Sequence, residues 1–171
     1  MSKRLMRAII ALAVVSMTIG VAMAGAQGSN NEFDATMKGS SESPKGPAKA
    51  SGTFHVEFKN GQACYRMSVR ALGAKPIAAH IHKGKAGTNG PIVIDLKIGA
   101  STFKGTSPRV ASKCVPAKAS VVSAIRRNSS GYYANVHTPS NPGGAARGQL
   151  KADVSGGGNE PGDDNGGGND G

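Results

Sequence analysis

Hydrophobic and polar residues alternate most regularly on both sides of the pair Asn60-Gly61. Alternation with a period of two is typical of a strand that buries one face. The apolar positions are Phe54, Val56 and Phe58 before the pair, and Ala63, Tyr65, Met67 and Val69 after it. An Asn-Gly pair favours a two-residue hairpin turn. We therefore predict a β-hairpin with one face in the core.

Six further short segments combine apolar and β-branched residues between turn-forming residues, which favours strands. They are Phe33–Lys38, Ile77–His82, Pro91–Lys97, Thr102–Gly105, Tyr132–Thr138 and Ala145–Val154. Between Pro116 and Asn128, the residues Val121, Val122 and Ile125 have helical spacing. The pattern predicts an all-β protein, an antiparallel β-sandwich with one short helix.

The first 26 residues have the order of a secretory signal peptide. Residues 1–7 are basic, residues 8–24 are almost wholly apolar, and Ala24-Gly25-Ala26 fits a cleavage site. A membrane anchor helix is the alternative, but the polar residues 27–32 that follow favour cleavage near Ala26 and a flexible leader. We expect a secreted or periplasmic protein whose mature form has no transmembrane segment.

The composition sets the domain organisation. The 171 residues support one domain, and 25 Gly, 9 Pro and 4% aromatic residues argue against a helical bundle. We expect residues 33–154 to form this domain. Ser155–Gly171 is rich in Gly and Asp and has no large apolar residue, so it is expected to be a disordered acidic tail.

The chain has two cysteines, Cys64 and Cys114. Export exposes them to an oxidising compartment, where an even number of cysteines usually pairs. A bridge over a loop of this length stabilises a fold by about 4 kcal/mol in the chain-entropy model. The alternative is a thiol that acts as a metal ligand or nucleophile.

The formal net charge is +11, and several of the cations fall near predicted loops. The candidate anion contacts are Lys83, Lys85, Arg126, Arg127 and Arg147. Such a surface attracts anionic polymers or membrane surfaces, whereas export and the scarcity of aromatic residues disfavour nucleic acid. The alternative is an ordinary solvated surface. The glycines in 83–90 fit turns rather than a phosphate-binding loop, because the Gly-x4-Gly-Lys-Ser/Thr order is absent.

Three of the four histidines suggest a metal site. His80 and His82 are two residues apart on a predicted strand and so share a face. His137, near the end of another strand, is a candidate third ligand, and three imidazoles suit zinc or copper. The alternative is a cluster of hydrogen-bonded histidines without metal. By its alternation, His55 belongs to a solvent face.

The sequence lacks the common catalytic motifs. It has no Gly-x-Ser-x-Gly nucleophile motif, and its few carboxylates suggest no acid–base pair. A non-enzymatic protein is therefore expected, with metal-dependent redox activity as the open alternative.

Five segments together resemble the CHRD family, the domain named after chordin. They are Ala50-Ser51-Gly52-Thr53-Phe54, Ala79-His80-Ile81-His82-x-Gly84, Gly87-x-x-Gly90-Pro91-Ile92-Val93, Tyr132-Tyr133-Ala134-Asn135-Val136-His137-Thr138, and Gly143-Gly144 leading to Arg147-Gly148-Gln149-Leu150. The resemblance implies a secreted, immunoglobulin-like β-sandwich of unknown biochemical activity. It also supports pairing the two cysteines, as in a subset of single-domain members.

These observations favour a secreted, non-enzymatic binding or structural module. Its partner would be an extracellular or envelope protein or an anionic polymer. The alternative is a zinc or copper protein that uses His80, His82 and His137, with chemistry like that of superoxide dismutase. The histidine pattern is similar to that of copper–zinc superoxide dismutase, but four histidines cannot supply both of that enzyme's metal sites. Likeness of fold alone carries no function.

Overall fold

The computed structural model describes residues 30–99 and 101–153. Within them, nine strands and one α-helix follow one another along the chain. The strands are β1 (Glu32–Lys38), β2 (Ser51–Lys59), β3 (Gln62–Arg70), β4 (Ala78–Lys83), β5 (Ile92–Asp95), β6 (Arg109–Pro116), β7 (Tyr132–Thr138), β8 (Asn141–Gln149) and β9 (Lys151–Ala152), and α1 is Ala119–Arg127 between β6 and β7. Short 3-10 turns lie at Gly39–Ser41 and Ser129–Gly131.

The strands form one antiparallel sheet with the order β5-β4-β7-β8-β1-β2-β3-β6, and β9 adds to β1. The sheet curls over its own core into two layers. The Tyr65 hydroxyl on β3 donates a hydrogen bond of 3.0 Å to the Leu96 carbonyl just after β5, so β3, the strand next to the β6 end of the order, contacts the β5 end. The predicted antiparallel β-sandwich with one short helix is confirmed.

The β2–β3 hairpin forms as its alternation predicts. The register runs from Ser51↔Arg70 to Lys59↔Gln62, and Asn60 and Gly61 both have positive φ, at 50° and 71°. An Asn-Gly pair tolerates this left-handed backbone, which matches the twist of the two strands. The apolar positions all point inward. Phe54, Val56, Phe58, Ala63, Tyr65, Met67 and Val69 are all buried.

The strand β6 was not predicted. It contributes Ala111 and Val115 to the core, but Ser112, Lys113 and Cys114 are exposed, as suits the edge of a sheet. The predicted disulfide is confirmed: Cys64 and Cys114 lie opposite each other in the β3–β6 register and are bonded.

Three predicted boundaries need correction. The segment Thr102–Gly105 is not a strand, and only Lys104 forms an isolated bridge, with Val110. Pro116 ends β6, so the helix begins at Ala119. The predicted strand Ala145–Val154 divides at Leu150 into β8 and β9, because β9 turns to pair with β1.

The central strand β7 is buried along its whole length. One face belongs to the core. The other is covered by the segment that follows β1 and by the glycine-rich loop that follows β4, which are joined where the Asn89 amide donates to the Ser43 carbonyl. This covered outer face of β4, β7 and β8 carries most of the polar side chains described below.

The expected signal peptide (1–26) and acidic tail (155–171) lie outside the described residues, as do residues 27–29 of the leader and Val154 at the predicted end of the domain. Among the residues that are described, no helix is long and apolar enough to cross a membrane.

Candidate metal centre

The antiparallel register of β4 and β7 brings His80, His82 and His137 together, as the sequence predicted. Ala78 pairs with His137, and His80 pairs with Asn135. Paired residues on adjacent strands share a face, so the three imidazoles rise from one side of the sheet. One ring nitrogen from each lies within 4.8 Å of the other two.

Backbone carbonyls fix the tautomers of two of these histidines. Nδ1 of His82 lies 2.8 Å from the Gly90 carbonyl oxygen, and Nδ1 of His137 lies 2.9 Å from that of Pro142. A carbonyl oxygen only accepts, so each Nδ1 carries the proton and donates. In the neutral rings, Nε2 of His82 and Nε2 of His137 therefore present lone pairs to the cluster.

The two lone pairs are used differently. His80 Nδ1 lies 3.0 Å from His137 Nε2, and since His137 must accept there, His80 donates. The Nε2 atom of His82 is buried and has no hydrogen-bond partner, and the residue as a whole is 8% exposed. The cluster thus contains a nitrogen lone pair without a hydrogen bond of normal geometry, although the Asn135 side chain is close enough to oppose the lowering of the pKa of His82.

Burial keeps all three imidazoles neutral. It lowers the pKa of His80 to about 4, with further lowering from the neighbouring His137 and His82. It also lowers the pKa of His82 and of His137, although hydrogen bonds to the Gly90 and Pro142 carbonyls oppose this in part. Metal ligation requires neutral imidazole, so the site is in the competent protonation state at neutral pH.

Sequence reasoning missed Asn135, which lies between these histidines. It is 1% exposed, and its side-chain amide lies 3.1 Å from His137 Nε2. Because that nitrogen accepts in the tautomer given above, the NH2 group of the Asn135 amide is the one that can donate to it. Its position in the strand Tyr132–Thr138 was the available signal, because residues 133, 135 and 137 share a face.

The side chains of Tyr133 and Arg147 stack in sequence on one face of the His82 ring. The Tyr133 ring lies parallel to the His82 ring at 4.9 Å, and the Arg147 guanidinium lies 4.5 Å from the Tyr133 ring centroid. The Tyr133 hydroxyl also accepts a hydrogen bond of 3.3 Å from the Gly90 amide. This stack restricts the orientation of His82.

Arg147 is not on the surface with the other candidate anion contacts. It is 1% exposed, and its Nε donates to Glu42 Oε2 at 2.5 Å. The guanidinium also donates to the Thr88 carbonyl and to Asn89 Oδ1. Burial raises the pKa of Glu42, while Arg147 opposes that shift. Arg147 is therefore a buried residue that joins Glu42 to the glycine-rich loop, and the prediction that it belongs to a basic surface is wrong.

The remaining candidate cations are exposed. Lys83 and Lys85 lie on and beside the glycine-rich loop, and Arg126 and Arg127 lie in the last turn of α1, where Arg126 donates to Asn31. His55, expected on a solvent face, is half-buried and lies 3.0 Å from Asp34. Asp34, His55 and Asp153 form a second group of potential ligands. The side chains of Asp34 and His55 are 53% and 41% exposed, so this group has less support than the histidine cluster.

A family model for the CHRD domain matches residues 33–150. Comparisons with curated proteins and with solved structures each found no match. The matched range covers β1 to β8 and includes all three clustered histidines. The chain belongs to the CHRD domain family.

Proposed function

We propose that this protein is an exported, non-enzymatic binding module, and that its ligand is one zinc or copper(II) ion held by His80, His82 and His137. The observation that carries the proposal is the buried Nε2 of His82, which has no hydrogen-bond partner and lies in a cluster of neutral imidazoles. A buried acceptor left without a partner costs about 1–3 kcal/mol, which a bound cation would offset.

The geometry suits such an ion. Zinc–nitrogen bonds of about 2.0–2.1 Å in a tetrahedral site place ligand atoms roughly 3.3 Å apart. His80 Nδ1 and His137 Nε2 are already 3.0 Å apart. The third nitrogen, from His82, lies within 4.8 Å of both. Two of the three rings are held in the required tautomer by backbone carbonyls, as is usual for histidine ligands.

The ligand type supports zinc or copper over calcium or magnesium. Imidazole nitrogen suits the borderline transition metals, whereas calcium and magnesium prefer oxygen. Three protein ligands leave a coordination position for water. The copper-loaded protein should therefore also be assayed for superoxide dismutation. Activity in that assay would overturn the non-enzymatic part of this proposal.

Location and macromolecular partners are part of the same proposal. The basic, apolar and small-residue order of positions 1–26 supports export, as does the disulfide, which suits an oxidising compartment. The exposed Lys83, Lys85, Arg126 and Arg127 support contact with an envelope protein or an anionic polymer. Such contact would weaken as salt concentration rises.

The test uses protein recovered after export of the full chain, treated with a chelator and dialysed. Calorimetric titration with zinc and with copper(II), checked by elemental analysis, is expected to give about one equivalent of one metal. The double variant H80A/H82A should lose this binding. The matched control H55A removes a histidine outside the cluster and should retain it. Retention of less than about a tenth of an equivalent by the unmodified protein, after both metals are offered, would contradict the proposal.

A further inference from the structure

We propose that Asp95 is a positioning residue for the metal: it accepts a hydrogen bond from Nε2–H of His80 and thereby directs Nδ1 of His80 toward the ion. This inference rests on the metal site proposed above. It assigns a role to a carboxylate on β5, a strand that contributes none of the three ligands.

The sheet places Asp95 beside His80. In the β4–β5 register, His80 pairs with Asp95, so both side chains lie on the outer face of the sheet. Directly opposed residues on antiparallel strands have Cβ atoms roughly 4.5–5.5 Å apart. Among the described carboxylates, Asp95 is the one whose charge opposes the lowering of the pKa of His80.

His80 differs from the other two ligands in what fixes its tautomer. The Nδ1–H groups of His82 and His137 donate to backbone carbonyls, which leaves Nε2 free to bind an ion. In His80 it is Nδ1 that faces the cluster, and without metal this atom carries the proton that it donates to His137 Nε2. His80 can therefore bind the ion through Nδ1 only if the proton leaves Nδ1.

The proton balance then requires an acceptor on the other side of the ring. One proton leaves Nδ1 and one is taken up at Nε2 from solvent, so the imidazole stays neutral and changes only its tautomer. The protonated Nε2 needs a hydrogen-bond acceptor, and a carboxylate is the common partner of this group in metal-bound histidine. Asp95 supplies that carboxylate.

Lys97 holds Asp95 in place for this role. Lys97 Nζ lies 2.8 Å from Asp95 Oδ2, and the Lys97 backbone amide donates to Oδ1 at 2.8 Å. Lys97 has a φ of 52°, in the left-handed region, where its amide and its ammonium group both reach the same carboxylate. Each carboxylate oxygen accepts more than one hydrogen bond, so Asp95 can keep these contacts and also accept from His80.

The first measurement is zinc affinity, determined by competition with a chromophoric chelator. The variant D95A should bind zinc about 10–100-fold more weakly than the unmodified protein. D95N, whose amide oxygen still accepts but carries no charge, should fall between the two. The matched control D34A removes the carboxylate that lies 3.0 Å from His55 and should bind zinc normally.

The second measurement reads the tautomer directly. Long-range ¹H–¹⁵N correlation spectra of the imidazoles should show His80 protonated on Nδ1 without metal and on Nε2 with zinc. If the role of Asp95 were merely structural, the zinc-bound tautomer of His80 would be the same in D95A as in the unmodified protein. The side chain of Asp95 is 45% exposed, so both variants should fold, which circular dichroism checks.

The outcomes separate the two proposals. If the unmodified protein binds no metal, the proposed function fails and the role of Asp95 fails with it. If zinc binds equally well to D95A and to the unmodified protein, or if His80 binds zinc through Nε2, the role of Asp95 is overturned and the metal site stands.

Discussion

The ring of Tyr133 lies parallel to the ring of His82, with the centroids 4.9 Å apart and an interplanar angle of 6°. The two residues are paired in the β4–β7 register, so the sheet itself sets this stack. His82 is held on one face by Tyr133 and at Nδ1 by the Gly90 carbonyl, which leaves its Nε2 directed into the cluster. The orientation of a proposed ligand therefore depends on a residue that binds no metal.

Replacing Tyr133 with Leu should weaken zinc binding by about tenfold, because His82 loses the ring that restricts its rotation. Y133F keeps the stack and loses only the hydroxyl that accepts from the Gly90 amide, so its affinity should stay close to that of the unmodified protein. Competition titration measures both variants. Equal affinities for Y133L and Y133F would show that the stack does not position His82.

The protein should lose far more stability when one member of the Arg147–Glu42 pair is replaced than when both are. R147M leaves the Glu42 carboxylate buried without its partner, and breaking a buried pair in this way costs about 3–5 kcal/mol. The double variant E42L/R147M removes both charges and should lose less. Urea unfolding at neutral pH measures the free energies. If the double variant were as unstable as R147M, the unpaired Glu42 carboxylate would not be the cause of the stability lost in R147M.

How much of this architecture the sequence predicts depends on whether the signal is local. The β2–β3 hairpin was predicted because its alternation and its Asn-Gly turn lie within one short segment. The edge strand β6 was not predicted, because three consecutive exposed residues, Ser112, Lys113 and Cys114, hide its period. The disulfide was predicted from compartment and count rather than from any strand pattern.

The same limit applies to the site. His80 and His82 were predicted to share a face by their spacing of two, and His137 joined them as a candidate. The place of Asn135 beside His137 could have been found from its spacing along one strand, whereas the role proposed for Asp95 depends on cross-strand register, which the sequence does not display. Arg147 was expected on a basic surface because it was placed with the cations near predicted loops. Its burial depends on Glu42, 105 residues away in the chain.

The metal-free protein should become less stable as the pH falls through the window between the two pKa values of His80. An unfolded histidine titrates near its ordinary value of 6.5, whereas burial lowers the pKa of folded His80 to about 4. Between these values the unfolded chain binds more protons, so the free energy of unfolding decreases with decreasing pH. Burial shifts His82 and His137 in the same direction.

Urea unfolding in the presence of a chelator, from about pH 7 to about pH 4.5, tests this dependence. H80Q removes one of the three groups and should flatten the slope. The raised pKa of Glu42 acts in the opposite sense, but it is common to both proteins and cancels in their difference. A slope in H80Q as steep as in the unmodified protein would contradict the assignment to His80.

Replacing Gly90 with Ala should weaken zinc binding through the backbone rather than through any ligand. A Cβ atom at Gly90 would lie 1.7 Å from the Lys83 carbonyl oxygen, so the chain would have to move at this point. The Gly90 carbonyl that accepts from His82 Nδ1 would move with it, and loss of such a partner typically lowers metal affinity about 10–100-fold. G143A is the matched control, because a Cβ there meets nothing within 4 Å. Zinc titration and thermal unfolding of both variants provide the comparison. If G90A bound zinc as tightly as G143A, the Gly90 carbonyl would not be what orients His82.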